Sequence, residues 1–159
     1  MACHKSLDSV FKGCGDTLQY LNLSSSTFHI SKEVLCSMST HCSRLQEIDI
    51  SCRIHDFGQP REDEQLFEMM FKKLGKRIRF LDIRGWAIND NILNTFAIWG
   101  SSLEMLAFND QSDLTDYSVR RLTSSCCRMR KLFINSWPGG GISLLLWREV
   151  GKKYICYFP

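Results

Sequence analysis

Ser102-Leu103-Glu104-Met105-Leu106-Ala107-Phe108-Asn109, followed by Leu114-Thr115-Asp116-Tyr117-Ser118-Val119-Arg120-Arg121-Leu122, carries two hydrophobic periods in one short stretch. Leu106 and Phe108 lie two apart and share one face of a strand, while Met105, Ala107 and Asn109 face the other way. The period then changes. Leu114, Val119 and Leu122 fit helical spacing, with Thr115 placed as an N-cap and Asp116 where the helix dipole favours a negative charge. The strand phrase, apolar-x-x-apolar-x-apolar, occurs five times: Leu18-Leu21-Leu23, Leu45-Ile48-Ile50, Ile78-Leu81-Ile83, Leu103-Leu106-Phe108 and Met129-Leu132-Ile134. Its first positions lie 27, 33, 25 and 26 residues apart, and the 33-residue step reads as an insertion. One strand plus one helix is therefore the expected unit. Units this short cannot each close a core, so they must stack, which gives an open surface suited to binding before catalysis.

Other helix starts follow the same scheme, Ile30-Ser31 opening Lys32 to Met38 and Ile88-Asn89-Asp90 opening Asn91 to Phe96. Three positions before each strand phrase stand Gly15, Cys42, Gly75, Gly100 and Cys126. Glycine admits a helix C-terminal turn without a Cβ clash, and a free cysteine packs as a small hydrophobe where helix returns to strand. The order Leu-Thr-Asp, helix, Leu, then Cys, two residues and Met, over Leu114 to Met129, resembles the cysteine-containing leucine-rich repeat found chiefly in F-box proteins with leucine-rich repeats. Ile30 to Leu45, with Cys42 before Leu45, is similar, and the likeness covers about Val10 to Asn135. A second family cysteine, nine residues into the repeat, is replaced here by Ser26, Arg53, Trp86 and Gln111, with Cys52 one residue early. The resemblance implies an α/β leucine-rich-repeat solenoid, a ribonuclease-inhibitor-like arc of about five strand-helix repeats with a parallel sheet on the concave face. It would occupy residues 1-136, with 137-159 a divergent C-terminal cap or tail in which Ile142 to Val150 form a short helix.

The 159 residues are 44% hydrophobic, enough for a substantial core, and 20 basic against 17 acidic residues leave +3, too little to announce nucleic acid. The longest apolar run, Ile142 to Trp147 broken only by Ser143, is far short of the roughly 20 residues that cross a bilayer. The N-terminus, Met1-Ala2-Cys3-His4-Lys5, has no apolar signal region, so a cytoplasmic or nuclear site and reduced thiols are expected for the eight cysteines. Cys36, His41, Cys42, Cys52 and His55 lie close enough in sequence to suggest zinc. No C-x-x-C pair occurs, however, and repeat phase already accounts for Cys42, so no metal is expected. Adjacent Cys126 and Cys127 suit a disulfide poorly. No Gly-x-Ser-x-Gly, Walker loop or His-Glu-x-x-His is present, and Gly139-Gly140-Gly141 lacks the Lys and Ser or Thr of a phosphate cradle. No enzymatic activity and no cofactor are expected.

The insertion holds Pro60, an acidic start at Glu62, Asp63 and Glu64, and a basic end at Lys72, Lys73, Lys76 and Arg77. Leu66, Phe67, Met70, Phe71 and Leu74 between them have the spacing of a core-facing helix, the alternative being a protruding helix that binds a partner. The loop Arg53 to Gln59 carries the extra length and could touch a ligand. Outward strand positions supply the candidate partner-binding residues: Tyr20, Phe80, Met105 and Phe133 as anchors, with Asp49, Asp82, Arg84 and Lys131 setting orientation. The blander alternative is a scattered, solvated mixture.

Ahead of Leu18, Leu7, Val10 and Phe11 have the spacing of a preceding repeat's helix, which leaves no room for an F-box. By the resemblance, the F-box docks on the adaptor of a cullin-RING ubiquitin ligase and the repeats select the protein to be ubiquitinated. The expected function is therefore protein-protein interaction, as substrate recognition for an F-box-type ligase whose adaptor binds only if an F-box is supplied elsewhere. A non-ligase leucine-rich-repeat scaffold that assists complex assembly is the alternative, and a zinc or redox protein a more distant one.

Overall fold

Each strand phrase places its outward residues in a strand, and each strand is followed by a helix. The computed structural model describes residues 2–24, 30–52, 60–109, 113–135 and 140–154. In chain order the elements are α1 (Ala2–Cys14), β1 (Tyr20–Asn22), α2 (Lys32–His41), β2 (Glu47–Asp49), α3 (Pro60–Leu74), β3 (Phe80–Asp82), α4 (Asp90–Trp99), β4 (Met105–Asn109), α5 (Asp116–Ser125), β5 (Lys131–Asn135) and α6 (Leu144–Lys153). The strands form one open, all-parallel sheet in the order β1-β2-β3-β4-β5, so sequence neighbours are also spatial neighbours. The loop 53–59, His55, Ser26, Gln111, Trp137-Pro138 and Gly139 lie outside the described residues, as do the side chains of Glu62 and Asp63.

The register is set by the middle residue of each phrase. Leu21 pairs with Ile48, Ile48 with Leu81, Leu81 with Leu106 and Leu106 with Leu132. All five belong to one apolar core with the helices, Ile48 to Leu132 buried and Leu21 partly so at the sheet's edge. A one-residue slip would turn every member of this ladder outward, so burial of one face locks the pairing. Beneath β3 and β4 the core is aromatic. Phe67 meets Trp86 and Phe96 edge-on at 5.5 and 5.6 Å, and Phe71 stacks on Phe96 at 4.3 Å. Leu66, Phe67, Met70, Phe71 and Leu74 are all buried, so the stripe of α3 joins the core and is not presented to a partner. In α1, Phe11 is buried and Leu7 packs against the core, but Val10 is half-exposed, off their shared face.

Helices end alike. Gly15, Cys42, Gly75, Gly100 and Cys126 each donate a backbone N–H to the carbonyl four residues earlier, at 2.7 to 3.0 Å. None adopts a left-handed backbone; the only positive φ among the described residues is at Gly85, +93°. The demand at Gly15 is closeness instead, since a Cβ there would lie 2.3 Å from the His41 carbonyl oxygen of the next unit. Gly85 combines both reasons, because a Cβ would also fall 2.1 Å from the Cys52 carbonyl oxygen.

Helix starts are tied across units. Asp90 accepts the Thr115 N–H at 2.8 Å and the Thr115 hydroxyl at 2.7 Å, one oxygen for each. Asp116 accepts the Ser143 N–H at 2.7 Å and the Ser143 hydroxyl in the same way. Thr115 thus holds the N-cap position of α5 without a side-chain cap, and its hydroxyl donates to the preceding helix's carboxylate. Asn89 does cap α4, accepting from the Ile92 N–H at 3.1 Å, and its amide also donates to Glu64. The region expected as a cap contains α6, where Ser143 caps Leu146 at 3.2 Å and Ile142, Leu146, Val150 and Tyr154 are buried. Ile142-Ser143 therefore repeats the role of Leu114-Thr115.

Candidate partner-binding face

Strand residues that point away from the helices fall into rows because the register never slips. The first row is Tyr20, Glu47, Phe80, Met105 and Lys131, and the second Asn22, Asp49, Asp82, Ala107 and Phe133. Two residues further along come Ser24, Ser51, Arg84, Asn109 and Asn135. Neighbouring strands stand about 4.8 Å apart, so the first row spans about 19 Å from Tyr20 to Lys131. The candidates separate accordingly. Phe80 and Met105 are direct neighbours, and Phe133 is paired with Ala107 beside them. Tyr20 lies two strands from Phe80 with Glu47 between, and four from Phe133.

Local chemistry at the strand ends shapes the second row. Asn22, Asp49 and Asp82 each accept the backbone N–H of the residue two ahead, Ser24, Ser51 and Arg84, at 2.8, 3.0 and 3.1 Å. At Asp49 and Asp82 these Asx turns divert that N–H from the preceding strand, while Ser24 lies on the edge strand; all three strands that carry such turns are three residues long. Ala107 and Phe133 stand at the same position without such an acceptor, and β4 and β5 run on for five residues. Asn22 also donates to Asp49 at 3.2 Å and to the Tyr20 hydroxyl at 3.3 Å, which fixes Tyr20 on the edge strand.

Two bidentate ion pairs dominate the electrostatics. Arg84 reaches both oxygens of Asp82, with Nη2 to Oδ2 at 2.6 Å, and covers the carboxylate so that Asp82 is only 8% exposed. Asp82 and Arg84, expected to orient a partner, thus engage each other first. Their hydrogen bond raises the Arg84 pKa, burial opposing it and the Asp82 and Asp49 charges adding to it. Arg79 pairs with Glu104 through two bonds of 2.8 and 3.2 Å, which holds the Glu104 carboxyl below its usual range. The Arg79 guanidinium also lies 5.4 Å from the centre of the Phe80 ring. This group was missed at the sequence level, although Arg79 and Glu104 each follow the first apolar residue of successive phrases, and repeat phase alone makes them neighbours.

On this face Tyr20, Asn22, Arg84 and Lys131 are exposed, and Glu47, Asp49, Phe80, Met105 and Phe133 half-buried. Such a surface offers aromatic and thioether area interleaved with fixed charge, the composition that anchors and orients a polypeptide. Elsewhere, Cys42 and Cys126 are fully buried, and desolvation pushes their thiols up to about 11 and about 12. Cys36 lies against Met69, its thiol 3.7 Å from the thioether. Among the described residues no group of three or more His, Cys, Asp or Glu is placed to hold a metal ion, and no helix is long and apolar enough to cross a membrane. No protein-family model matches the chain, and no curated protein matches its sequence.

Proposed function

We propose that the chain is a leucine-rich-repeat solenoid of the cysteine-containing type, and that it works as a protein-interaction module through the outer, concave face of its sheet. The observation that carries this reading is the unbroken register of five parallel strands, which arrays Tyr20, Phe80, Met105 and Phe133 with Asp49, Asp82 and Arg84 on one open surface. Units that bury one face against their helices leave the other as a continuous platform, the usual binding surface of stacked repeats. The resemblance over Leu114 to Met129 and Ile30 to Leu45 supports a narrower role: selecting a protein substrate for an F-box-type ubiquitin ligase in the cytoplasm or nucleus. A non-ligase scaffold that assists complex assembly is the second reading, since it requires the same face.

Proximity labelling in cells with the chain, and with Phe80→Ala/Phe133→Ala, tests the first level. Proteins enriched by the parent and lost with the variant identify the face as the interface; an unchanged set refutes it. Fusing an F-box to the chain then separates the two roles. Faster turnover of the enriched protein supports substrate recognition, whereas capture with unchanged turnover supports the scaffold.

A further inference from the structure

We propose that the outer face over β1, β2 and β3 docks an extended protein segment bearing an arginine or lysine, whose cation sits between Tyr20 and Phe80 above Glu47 and Asp49. This deepens the reading just given, and rests on it, by naming the chemistry of the partner at that end of the face.

The first argument is charge left over after internal pairing. Four carboxylates serve the β1 to β4 region of the face, Glu47, Asp49, Asp82 and Glu104, while the turn-forming residue of β1, Asn22, is neutral. Arg84 is committed to Asp82 and Arg79 to Glu104, both through two bonds. Glu47 and Asp49 form no ion pair among the described residues, although Arg79 and Arg84 feel them at longer range. The β2 strand therefore presents two outward carboxylates on one face, and Lys131 of the first row, which forms no ion pair among the described residues, stands three strands away. A cationic partner is complementary here and an anionic one is not.

The second argument is aromatic placement. Tyr20 and Phe80 flank Glu47 in register, one strand to either side, so their backbone positions lie about 10 Å apart. A cation midway is within the roughly 6 Å over which an aromatic face attracts it. Phe80 already takes a guanidinium on one face, that of Arg79 at 5.4 Å, so the ring does take part in cation contacts. Tyr20 is 55% exposed, and its hydroxyl is held by Asn22, which is bonded in turn to Asp49. The register thus sets two carboxylates between two aromatic residues, with Tyr20 tied to Asp49 through Asn22.

Three fluorescein-labelled decapeptides of one Ser/Gly backbone, with Arg, Gln or Glu at alternate positions, test the proposal by fluorescence anisotropy at low and physiological salt. The Arg peptide is expected to bind at least tenfold tighter than the Gln peptide, to weaken with salt, and to lose at least fivefold in Glu47→Gln/Asp49→Asn and in Tyr20→Ala. Lys152→Ala, an exposed position on α6 outside this face, is expected to leave it unchanged, and circular dichroism confirms that each variant is folded. Equal binding of the Arg and Gln peptides, no binding of the Arg peptide, or Arg-peptide affinity that survives Glu47→Gln/Asp49→Asn overturns the proposal. A Gln or Glu peptide that binds more tightly than the Arg peptide, and is lost in Phe80→Ala/Phe133→Ala, also overturns it while leaving the interaction role of the face standing.

Discussion

Asp116→Ala is expected to release α6 while the rest of the array stays folded. The Asp116 carboxylate accepts two hydrogen bonds from Ser143, one from the backbone N–H at 2.7 Å and one from the hydroxyl. Hydrogen bonds to a charged group contribute about 1.5 to 3 kcal/mol each when buried, and partial exposure of both residues lowers these two to about 1 kcal/mol each. Roughly 2 kcal/mol is then lost for the two together, once water has replaced what Asp116 supplied. The other ties of α6 are its buried Ile142, Leu146, Val150 and Tyr154, a Tyr154 hydroxyl bond to the Thr123 carbonyl at 3.2 Å, and an exposed Arg120–Glu149 pair. Exposed pairs of that kind contribute about 0 to 1 kcal/mol. Among the described residues α6 is tied to the array through α5, so the loss should read out as local opening, about 30-fold faster amide exchange across 144–154. Asp90→Ala removes the same two bonds from Thr115, but α5 is flanked on both sides, so its cost should fall on the global transition. Native-state hydrogen exchange with mass spectrometry, alongside urea unfolding, measures both. Unaltered exchange of 144–154 in Asp116→Ala, or a global loss equal to that of Asp90→Ala, would refute the reasoning.

Further outcomes follow from the ladder, the thiols and the outer face. Leu81→Ala should cost about 2 to 5 kcal/mol in urea unfolding, and Leu81→Asp should unfold the chain, because a carboxylate at a site 0% exposed has no partner there; a cooperative melt unchanged by Leu81→Asp would sink the ladder assignment. Exposed Cys127 should alkylate rapidly in the native state, whereas Cys42 and Cys126 should wait for unfolding, so equal labelling of all three by iodoacetamide would count against their burial. The thiol pKa values of Cys42 and Cys126 are raised from 9.0 to about 11 and about 12, so the folded state keeps protons that the unfolded chain releases. Stability is therefore full below pH 9 and falls as pH rises toward 11 to 12, by roughly 2 kcal/mol or more by pH 10.5, a loss that Cys42→Ala/Cys126→Ala should flatten in pH-dependent unfolding. Phe80→Ala/Phe133→Ala should weaken partner binding by about 2 kcal/mol or more with little change in melting temperature, and a collapsed fold would show that these rings serve the core instead.

The parts of the fold legible in the sequence are those decided by period. Alternation within Leu103 to Phe108 orients a strand, and recurrence of the phrase fixes which residues meet, so Leu21, Ile48, Leu81, Leu106 and Leu132 could be aligned before any coordinate was known. Burial enforces that register, and sequence period reports burial directly. Thr115 was legible as a position but not in its chemistry. A hydroxyl near a helix start can cap its own helix, donate to another, or do both: Ser143 does both, whereas Thr115 donates to Asp90, 25 residues earlier, without capping. The same applies to α6, whose Ile142-Ser143 start repeats Leu114-Thr115 although no strand phrase follows it among the described residues.

On the candidate face, which side chains point outward follows from alternation, but which of them remain available does not. Asp82 and Asp49 occupy equivalent places, each closing an Asx turn, and composition alone treats them as the same kind of residue. What separates them is the residue two further on: Ser51 offers Asp49 a hydroxyl, while Arg84 offers Asp82 a guanidinium that neutralises and covers it. Phase makes a similar choice at Arg79, whose counterpart one unit on is Glu104 and one unit back is the neutral Gln46. A repeat thus fixes where charges stand and leaves their pairing to the side chains that adjacent units place beside them. On this sheet that pairing satisfies Arg79 and Arg84, and two carboxylates outside it, Glu47 and Asp49, stand together on β2, where a partner's cation has something to gain.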